Sequence, residues 1–273
     1  MDKTHNNRWR WIVAAACILL VLIILNAYGN ANIKVTRYSL KTEKTGSKLR
    51  IAQISDFHND KKLGNKLIDT IKKQNPDLIA LTGDFIDSDK TDIPYALSTV
   101  KKLTGIAPVY FVTGNHEIAL SLCREFKQNL EKTGVKVLEG GKVEISKDVF
   151  LYGIDDPLAS WDYDADAEGN MEYILRPIAV DKSKYNILLS HRPEAFPAYF
   201  RFDLVLTGHA HGGQFRIPFI GGIIAPGQGL FPKYDAGMYR KENTTMIVSR
   251  GIGNSMIPIR INNRPELVVV DIA

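Results

Sequence analysis

Asp203-Leu204-Val205-Leu206-Thr207-Gly208-His209-Ala210-His211-Gly212-Gly213 reads as a short aliphatic run, the composition of a buried strand, broken by glycine and two histidines. Alternate residues of an extended segment point the same way, so His209 and His211 can converge on one point. The flanking glycines let backbone or ligand come close. That is the geometry of a metal site, although two polar loop residues with no chemical task would read the same way. The rest of the chain has to decide.

The same pattern recurs upstream. Leu49 to Ser55 reads as a strand that stops at Asp56, and Leu63 to Lys73 carries Leu63, Leu67, Ile68 and Ile71 on one helical face. Asp77 to Thr82 is a second strand, stopping at Gly83-Asp84, followed by a helix from Ile93 to Leu103. Pro108 to Thr113 is a third, stopping at Gly114-Asn115-His116-Glu117. Strand-helix units in succession imply parallel strands joined by right-handed crossovers. In such sheets ligands bind beyond the carboxyl ends of the strands, and here each strand ends in a residue able to bind metal.

Further along, a helix is expected from about Ala119 to Lys132. Strand candidates near residues 136–138, 142–145 and 149–152 look like an antiparallel continuation. A polar, acidic loop spans Asp155 to Gly169, and Tyr185 to Ser190 is a strand ending at His191. Thr245 to Arg250 and Leu267 to Ile272 are the last strand candidates. No Pro-rich or Ser-rich linker interrupts this region, which reads as one domain over residues 49–273.

The strand-end donors are Asp56, His58, Asp84, Asn115, His116, His191, His209 and His211. Singly, each has a bland reading: a helix-capping aspartate, a structural histidine, a turn asparagine. Together they offer more ligands than one tetrahedral ion uses, and two ions sharing a bridge fit better. Asp84 suits the bridge, because Gly83 lets the backbone approach. Imidazole and oxygen donors without thiolate favour Mn, Fe or Zn over Ca, without choosing among them.

The 273 residues are 45% hydrophobic and 24% charged, ordinary for a folded chain. The formal charge of +5 is spread among comparable numbers of acids, with no dense Lys/Arg run, so no nucleic-acid partner is expected. Cys17 and Cys123 offer no disulfide framework.

The first thirty residues differ from all that follow. Residues 1–10 form a basic flank with Lys3, Arg8 and Arg10, and residues 11–28 form an apolar anchor or signal segment. Residues 29–48 serve as linker and first strand region. From Trp9 to Tyr28 the length approaches the ~20 residues needed to span hydrocarbon, with Trp9, Trp11 and Tyr28 as interface anchors. A cleaved signal peptide is the alternative to an uncleaved single-pass anchor. Lys34, Arg37 and Lys41 balance the basic flank, so charge does not set the orientation. A short basic N-terminus before an export-like run places the large domain outside the cytoplasm.

Asp56-Phe57-His58, Gly83-Asp84, Gly114-Asn115-His116-Glu117, His191 and Gly208-His209-Ala210-His211 resemble, in order, the blocks of the calcineurin-like metallophosphoesterase family. The apolar N-terminus and the Gly212-Gly213-Gln214 continuation resemble its membrane-associated bacterial branch, which includes phosphodiesterase-like and UDP-2,3-diacylglucosamine pyrophosphatase-like members. The resemblance implies an α/β fold, an αββα sandwich of two packed mixed sheets. It implies that Asp56, His58 and His211 hold one metal, that Asn115, His191 and His209 hold the other, that Asp84 bridges, and that His116 is catalytic rather than a ligand.

The implied chemistry is hydrolysis of phosphate esters by a hydroxide activated between two divalent ions. Diesters or pyrophosphates of envelope or lipid-linked molecules are the expected substrates. A broad phosphomonoesterase and a metal-stabilised envelope binding protein without turnover are the alternatives. Glu117 either orients the His116 imidazole or is an acid at a helix N-terminus.

Three weaker signals remain. Asp162-Tyr163-Asp164-Ala165-Asp166 imitates the start of a calcium loop but lacks glycine and glutamate at its sixth and twelfth positions, Ala167 and Tyr173, so a solvated acidic loop is expected. Phe215 to Phe231 is either an apolar lip for a lipid-like substrate or, preferably, a hairpin filling the sandwich. Arg192, Arg216 and Arg250 could each meet a phosphate, surface exposure being the default.

Overall fold

The computed structural model describes residues 3–160, 167–254 and 259–273. The chain begins with a helix, α1 (Lys3–Asn30), and continues through β1 (Lys34–Leu40), β2 (Leu49–Ile54), α2 (Gly64–Gln74), β3 (Leu78–Thr82), α3 (Ile93–Thr104) and β4 (Val109–Val112). Next come α4 (Asn115–Ile118), α5 (Cys123–Lys132), β5 (Lys136–Val137), β6 (Lys142–Ser146), β7 (Val149–Gly153), α6 (Ala167–Leu175), β8 (Tyr185–Leu189) and β9 (Leu204–Thr207). Four two-residue strands follow, β10 (Arg216–Ile217), β11 (Gly221–Gly222), β12 (Ile224–Ala225) and β13 (Gly229–Leu230). The chain closes with β14 (Gly237–Lys241), β15 (Thr244–Val248) and β16 (Glu266–Ile272).

Two six-stranded mixed sheets carry the fold, ordered β1-β16-β2-β3-β4-β5 and β14-β15-β9-β8-β7-β6. Their inner faces pack together: Ile51, Ala80 and Val112 of the first meet Leu151, Ile187, Leu206 and Ile247 of the second. On the outer face of the first sheet, Ile54, Leu81 and Phe111 bury Leu67 and Ile71 of α2, Val100 and Leu103 of α3, and Phe126 and Leu130 of α5. On the outer face of the second, Leu188, Val205 and Met246 pack with Met171 and Leu175 of α6 and with Phe196. These are the helix-sheet-sheet-helix layers of an αββα sandwich. Fully buried strands such as β3 and β9 have no polar face, which is why they read as continuous apolar runs.

Local signals set the crossovers. The Asp92 side chain accepts a hydrogen bond from the Tyr95 N–H at 3.0 Å and Pro94 sits in the first turn of α3, so that helix starts where capping chemistry puts it. α2 stops at Asn75, which takes the left-handed conformation (φ 48°).

The antiparallel continuation after α5 is corrected in part. β5 lies parallel to β4 and ends the first sheet, whereas β6 and β7 pair antiparallel in the second and β7 runs parallel to β8. Inside the expected acidic loop, Pro157–Ser160 forms a 3-10 turn and α6 begins at Ala167. The acidic run Asp162–Asp166 lies outside the described residues. β14 is an additional edge strand of the second sheet, and β1 forms an edge of the first by pairing parallel with β16.

Candidate metal centre

The carboxyl ends of β2, β3 and β4 from one sheet and of β8 and β9 from the other meet at one edge of the sandwich. Asp56 and His58 follow β2, Asp84 follows β3, Asn115 and His116 follow β4, His191 follows β8, and His209 and His211 follow β9. All are buried except Asn115 and His116, which are partly so. The turns are tight: Asp56, His58, Asp84, His209 and His211 all have φ between 46° and 63°. A left-handed turn directly after a strand redirects the side chain from the sheet face into the space between the sheets.

Two groups of donors that share Asp84 result, one of Asp56, His58, Asp84 and His211 and one of Asp84, His191 and His209, and a third joins His58 with Asp87 and His116. In the first, the Nε2 atoms of His58 and His211 stand 3.2 Å apart and His211 Nε2 lies 3.4 Å from Asp56 Oδ1. Asp84 joins both groups: its Oδ2 is 3.9 Å from His58 Nε2 and 3.1 Å from His191 Nε2. Its other oxygen is engaged, accepting the His116 N–H at 2.9 Å.

The donor set fits divalent cations. Asp56 Oδ2 and Asn115 Oδ1 are buried and have no hydrogen-bond partner, a costly condition that a cation relieves. His191 Nδ1 lies 2.8 Å from the Thr82 carbonyl, to which it donates, leaving Nε2 as the basic nitrogen. Burial lowers His58 to about 4 and, with neighbouring cationic groups, holds His209 and His211 well below the usual histidine range. These imidazoles are therefore neutral, as ligands must be. Burial opposes charge on His191 too, yet the carboxylates of Asp84, Asp56 and Asp156 raise it to about 10. The pocket thus favours positive charge beside Asp84, whose own carboxyl stays well below the carboxylate range despite burial, because His191 and His58 face it. Burial, with the Asp84 charge, pushes Asp56 up to about 6.

Glycine makes the convergence possible. A Cβ on Gly83 would meet His191 Nδ1 at 2.5 Å, and one on Gly208 would meet Ser55 Oγ at 1.8 Å and Asp56 Oδ2 at 2.5 Å.

Several supporting residues escaped the sequence reading. Asp87 Oδ2 faces His58 Nδ1 at 3.6 Å, the place of a carboxylate that steers a ligand imidazole. Its signal was the second acid of Asp84-Phe85-Ile86-Asp87. The Ser88 N–H donates to His116 Nδ1 at 3.0 Å, so Nδ1 is the accepting nitrogen and the ring hydrogen is on Nε2. Arg260 is wholly buried, donates to the Gly253 carbonyl and stands 3.5 Å from His211 Nδ1; burial lowers its pKa to about 10. Nothing in its local sequence marks it.

Of the two readings of Glu117, the acid at a helix N-terminus holds: its carboxylate accepts the backbone N–H groups of Asp84 (2.8 Å), Ile86 (3.0 Å) and Gly114 (2.7 Å), tying the turn after β3 to the start of α4. Burial and the Asp84 charge push it up to about 7, against those donors. Arg192 is not a surface arginine: it grips Asp156 through two hydrogen bonds (2.7 and 3.1 Å) and places Nη1 3.1 Å from His209 Nε2. Arg216 instead pairs with Asp235 at 2.9 Å.

Residues 49–213 match the family described as Calcineurin-like phosphoesterase. A metallophosphoesterase of Aquifex aeolicus is 29% identical over 270 residues, covering 93% of this chain and 98% of the relative. A Danio rerio transmembrane protein with metallophosphoesterase domain is 26% identical over 279 residues, covering 91% of this chain and 60% of that protein. The crystal structure of TT1561 of Thermus thermophilus superposes with a TM-score of 0.51 at 12% identity, over 75% of this chain and 90% of that one, a likeness of fold alone. With its two-sheet sandwich, its converging Asp/His groups and this match over most of its length, the chain belongs to the calcineurin-like phosphoesterase family.

Proposed function

We propose that the chain is a membrane-anchored phosphoesterase in which Asp56, His58 and His211 hold one divalent ion and Asn115, His191 and His209 a second, with Asp84 shared. The observation that carries this reading is the position of Asp84 Oδ2, within 3.9 Å of one group of donors and 3.1 Å of the other, while Oδ1 is occupied by a backbone N–H. Mn, Fe and Zn all suit the donor set.

Bound divalent ions supply Lewis acidity, which lowers the pKa of water and offsets the charge of phosphate oxygens. The chain's own residues do the rest. His116, with hydrogen on Nε2, sits at the mouth of the group to donate a hydrogen bond to the charge developing on the leaving oxygen, and Ser88 keeps it in that tautomer. Asp87 steers His58, and Glu117 locks the Asp84 turn.

The described residues include one helix long and apolar enough to cross a membrane, Trp9–Asn30. Residues 11–28 are the anchor in this reading, and residues 49–273, edged by β1, form the catalytic domain on the extracytoplasmic side. The substrates are diesters or pyrophosphates of envelope or lipid-linked molecules. The test is turnover by the full-length chain in detergent micelles with Mn²⁺, on matched phosphomonoester, phosphodiester and pyrophosphate compounds. Faster hydrolysis of diester or pyrophosphate is expected. Preference for the monoester would replace this reading by a broad phosphomonoesterase, and two bound ions without hydrolysis of any compound would replace it by a binding protein.

A further inference from the structure

Residues 215–231 were expected to fill the sandwich, and they do not. They form two small hairpins, β10–β11 and β12–β13, whose large apolar side chains face outward: Ile217, Phe219, Ile220, Leu230 and Phe231 are exposed, Phe219 completely. Phe219 and Ile220, at the turn of the first hairpin, line one cleft with Pro232, so that turn and the chain leaving the second hairpin after Phe231 flank the same cleft. Large apolar side chains grouped at loop tips are costly in water and mark a surface made for an apolar partner.

The position of the tips identifies that partner. Phe215 pairs with Ile261, and the Asn262 side chain donates to the Arg216 carbonyl at 3.3 Å, so the first hairpin is fastened to residues 259–262. Those residues also hold the end of α1. The side chains of Asn26 and Asn30 donate to the Arg260 carbonyl at 2.9 and 2.7 Å, and the Asn262 N–H donates to Asn26 Oδ1 at 3.0 Å. Ile259 and Ile261, flanking Arg260, are exposed as well. The apolar run of α1 ends at Leu25, so Asn26 stands where a spanning helix leaves hydrocarbon. The base of the first hairpin and the exposed Ile259 and Ile261 are thereby tied to the end of α1. A cleft beside Asn30 and Ala31 is lined by Lys61, Lys62, Lys66 and Lys90, charges that suit anionic headgroups.

The second hairpin also reaches the metal centre. Gly227, in its turn, packs so close to Glu194 and His209 that a Cβ there would stand 2.6 Å from Glu194 Oε1 and 3.6 Å from His209 Nε2. One wall of the site therefore continues along β13 to the exposed Leu230 and Phe231.

We propose that the tip of the first hairpin, together with Leu230 and Phe231 at the end of β13, inserts into the surface of the bilayer that α1 crosses, holding the mouth of the metal centre against the lipid. The proposal rests on the reading of α1 as a membrane span, and the test separates the two. Cys17 lies inside α1 and Cys123 opens α5, so single labelling sites are available. The full-length chain is reconstituted into phosphatidylethanolamine/phosphatidylglycerol vesicles containing spin-labelled lipid. A polarity-sensitive fluorophore is attached at native Cys17 in Cys123→Ser, or at Phe219→Cys, Phe231→Cys or Lys182→Cys in a background of Cys17→Ser and Cys123→Ser. Lys182 is exposed, in the loop before β8 at the opposite ends of the strands.

Blue-shifted emission at 219 and 231, with quenching by headgroup-proximal spin label several-fold stronger than at 182, is the expected result. Quenching at 219 and 231 equal to that at 182, with Cys17 quenched, overturns the insertion and leaves the anchor standing. An unquenched Cys17 overturns the anchor and the insertion with it. Self-quenching at 219 that follows protein density rather than spin-labelled lipid assigns the tips to a second copy of the chain and overturns the proposal.

Discussion

At the scale of residues, the site is a set of side chains redirected by backbone that ordinary residues avoid. Left-handed φ at Asp56, His58, Asp84, His209 and His211 costs on the order of 1 kcal/mol at each position, and such strain gathers where function needs it. His116 differs from its neighbours: its imidazole leans edge-on against His58 with ring centres 4.6 Å apart, and Nδ1 is engaged by Ser88. His116→Asn is expected to lower turnover by about 10²–10³-fold, the scale of a lost hydrogen-bond donor to developing charge, with metal content unchanged. Elemental analysis alongside steady-state kinetics checks this, and loss of both ions from the variant would make His116 a ligand instead. The donors were legible because Asp, His and Asn directly after an apolar run are conspicuous. Asp87, Ser88 and Arg260 were not, because their partners are distant in sequence or are backbone groups.

At the scale of elements, close approach between strand ends sets the cost of change. β9 of one sheet meets β2 of the other at Gly208, where an added methyl has no room beside Ser55 and Asp56. Gly208→Ala is expected to destabilise the fold by about 1–3 kcal/mol, the range for overpacking a filled site, and to lower metal content by displacing Asp56. Thermal melting and elemental analysis test it; an unchanged melting temperature with full metal occupancy would show that the contact relaxes freely. Periodicity found the core strands and the crossover helices α2, α3 and α5, because burial on one or both faces leaves a strong apolar signature. It failed on pairing after α5, because the two residues of β5 carry too little pattern to show which sheet they join. It also failed on α6, whose buried Met171 and Leu175 stand beside a polar, acidic run.

At the scale of the whole molecule, the donors come from both halves of the sandwich. Asp56, His58, Asp84 and Asn115 follow strands of the first sheet, and His191, His209 and His211 follow strands of the second. Ions held among them would tie the sheets together, so chelation is expected to lower the melting temperature. At free ion one hundred times Kd, each ion adds about 2.7 kcal/mol, equivalent to roughly 5–10 °C for a domain of this size. Asp84→Asn, which weakens the shared ligand, should melt lower without chelator and respond little to it. A wild-type melting temperature indifferent to chelator and to added Mn²⁺ would contradict the arrangement.

The sequence by itself determined the strand-helix order, the strand-end donors, the family resemblance and the apolar helix, because each is written in contiguous residues. Only the tertiary structure decided that Glu117 braces the turn after β3, that Arg192 and Arg260 are buried, and that residues 215–231 turn outward beside the end of α1. Those outcomes depend on contacts between segments far apart in the chain, and no local pattern of hydropathy or charge encodes which distant backbone will supply the partner.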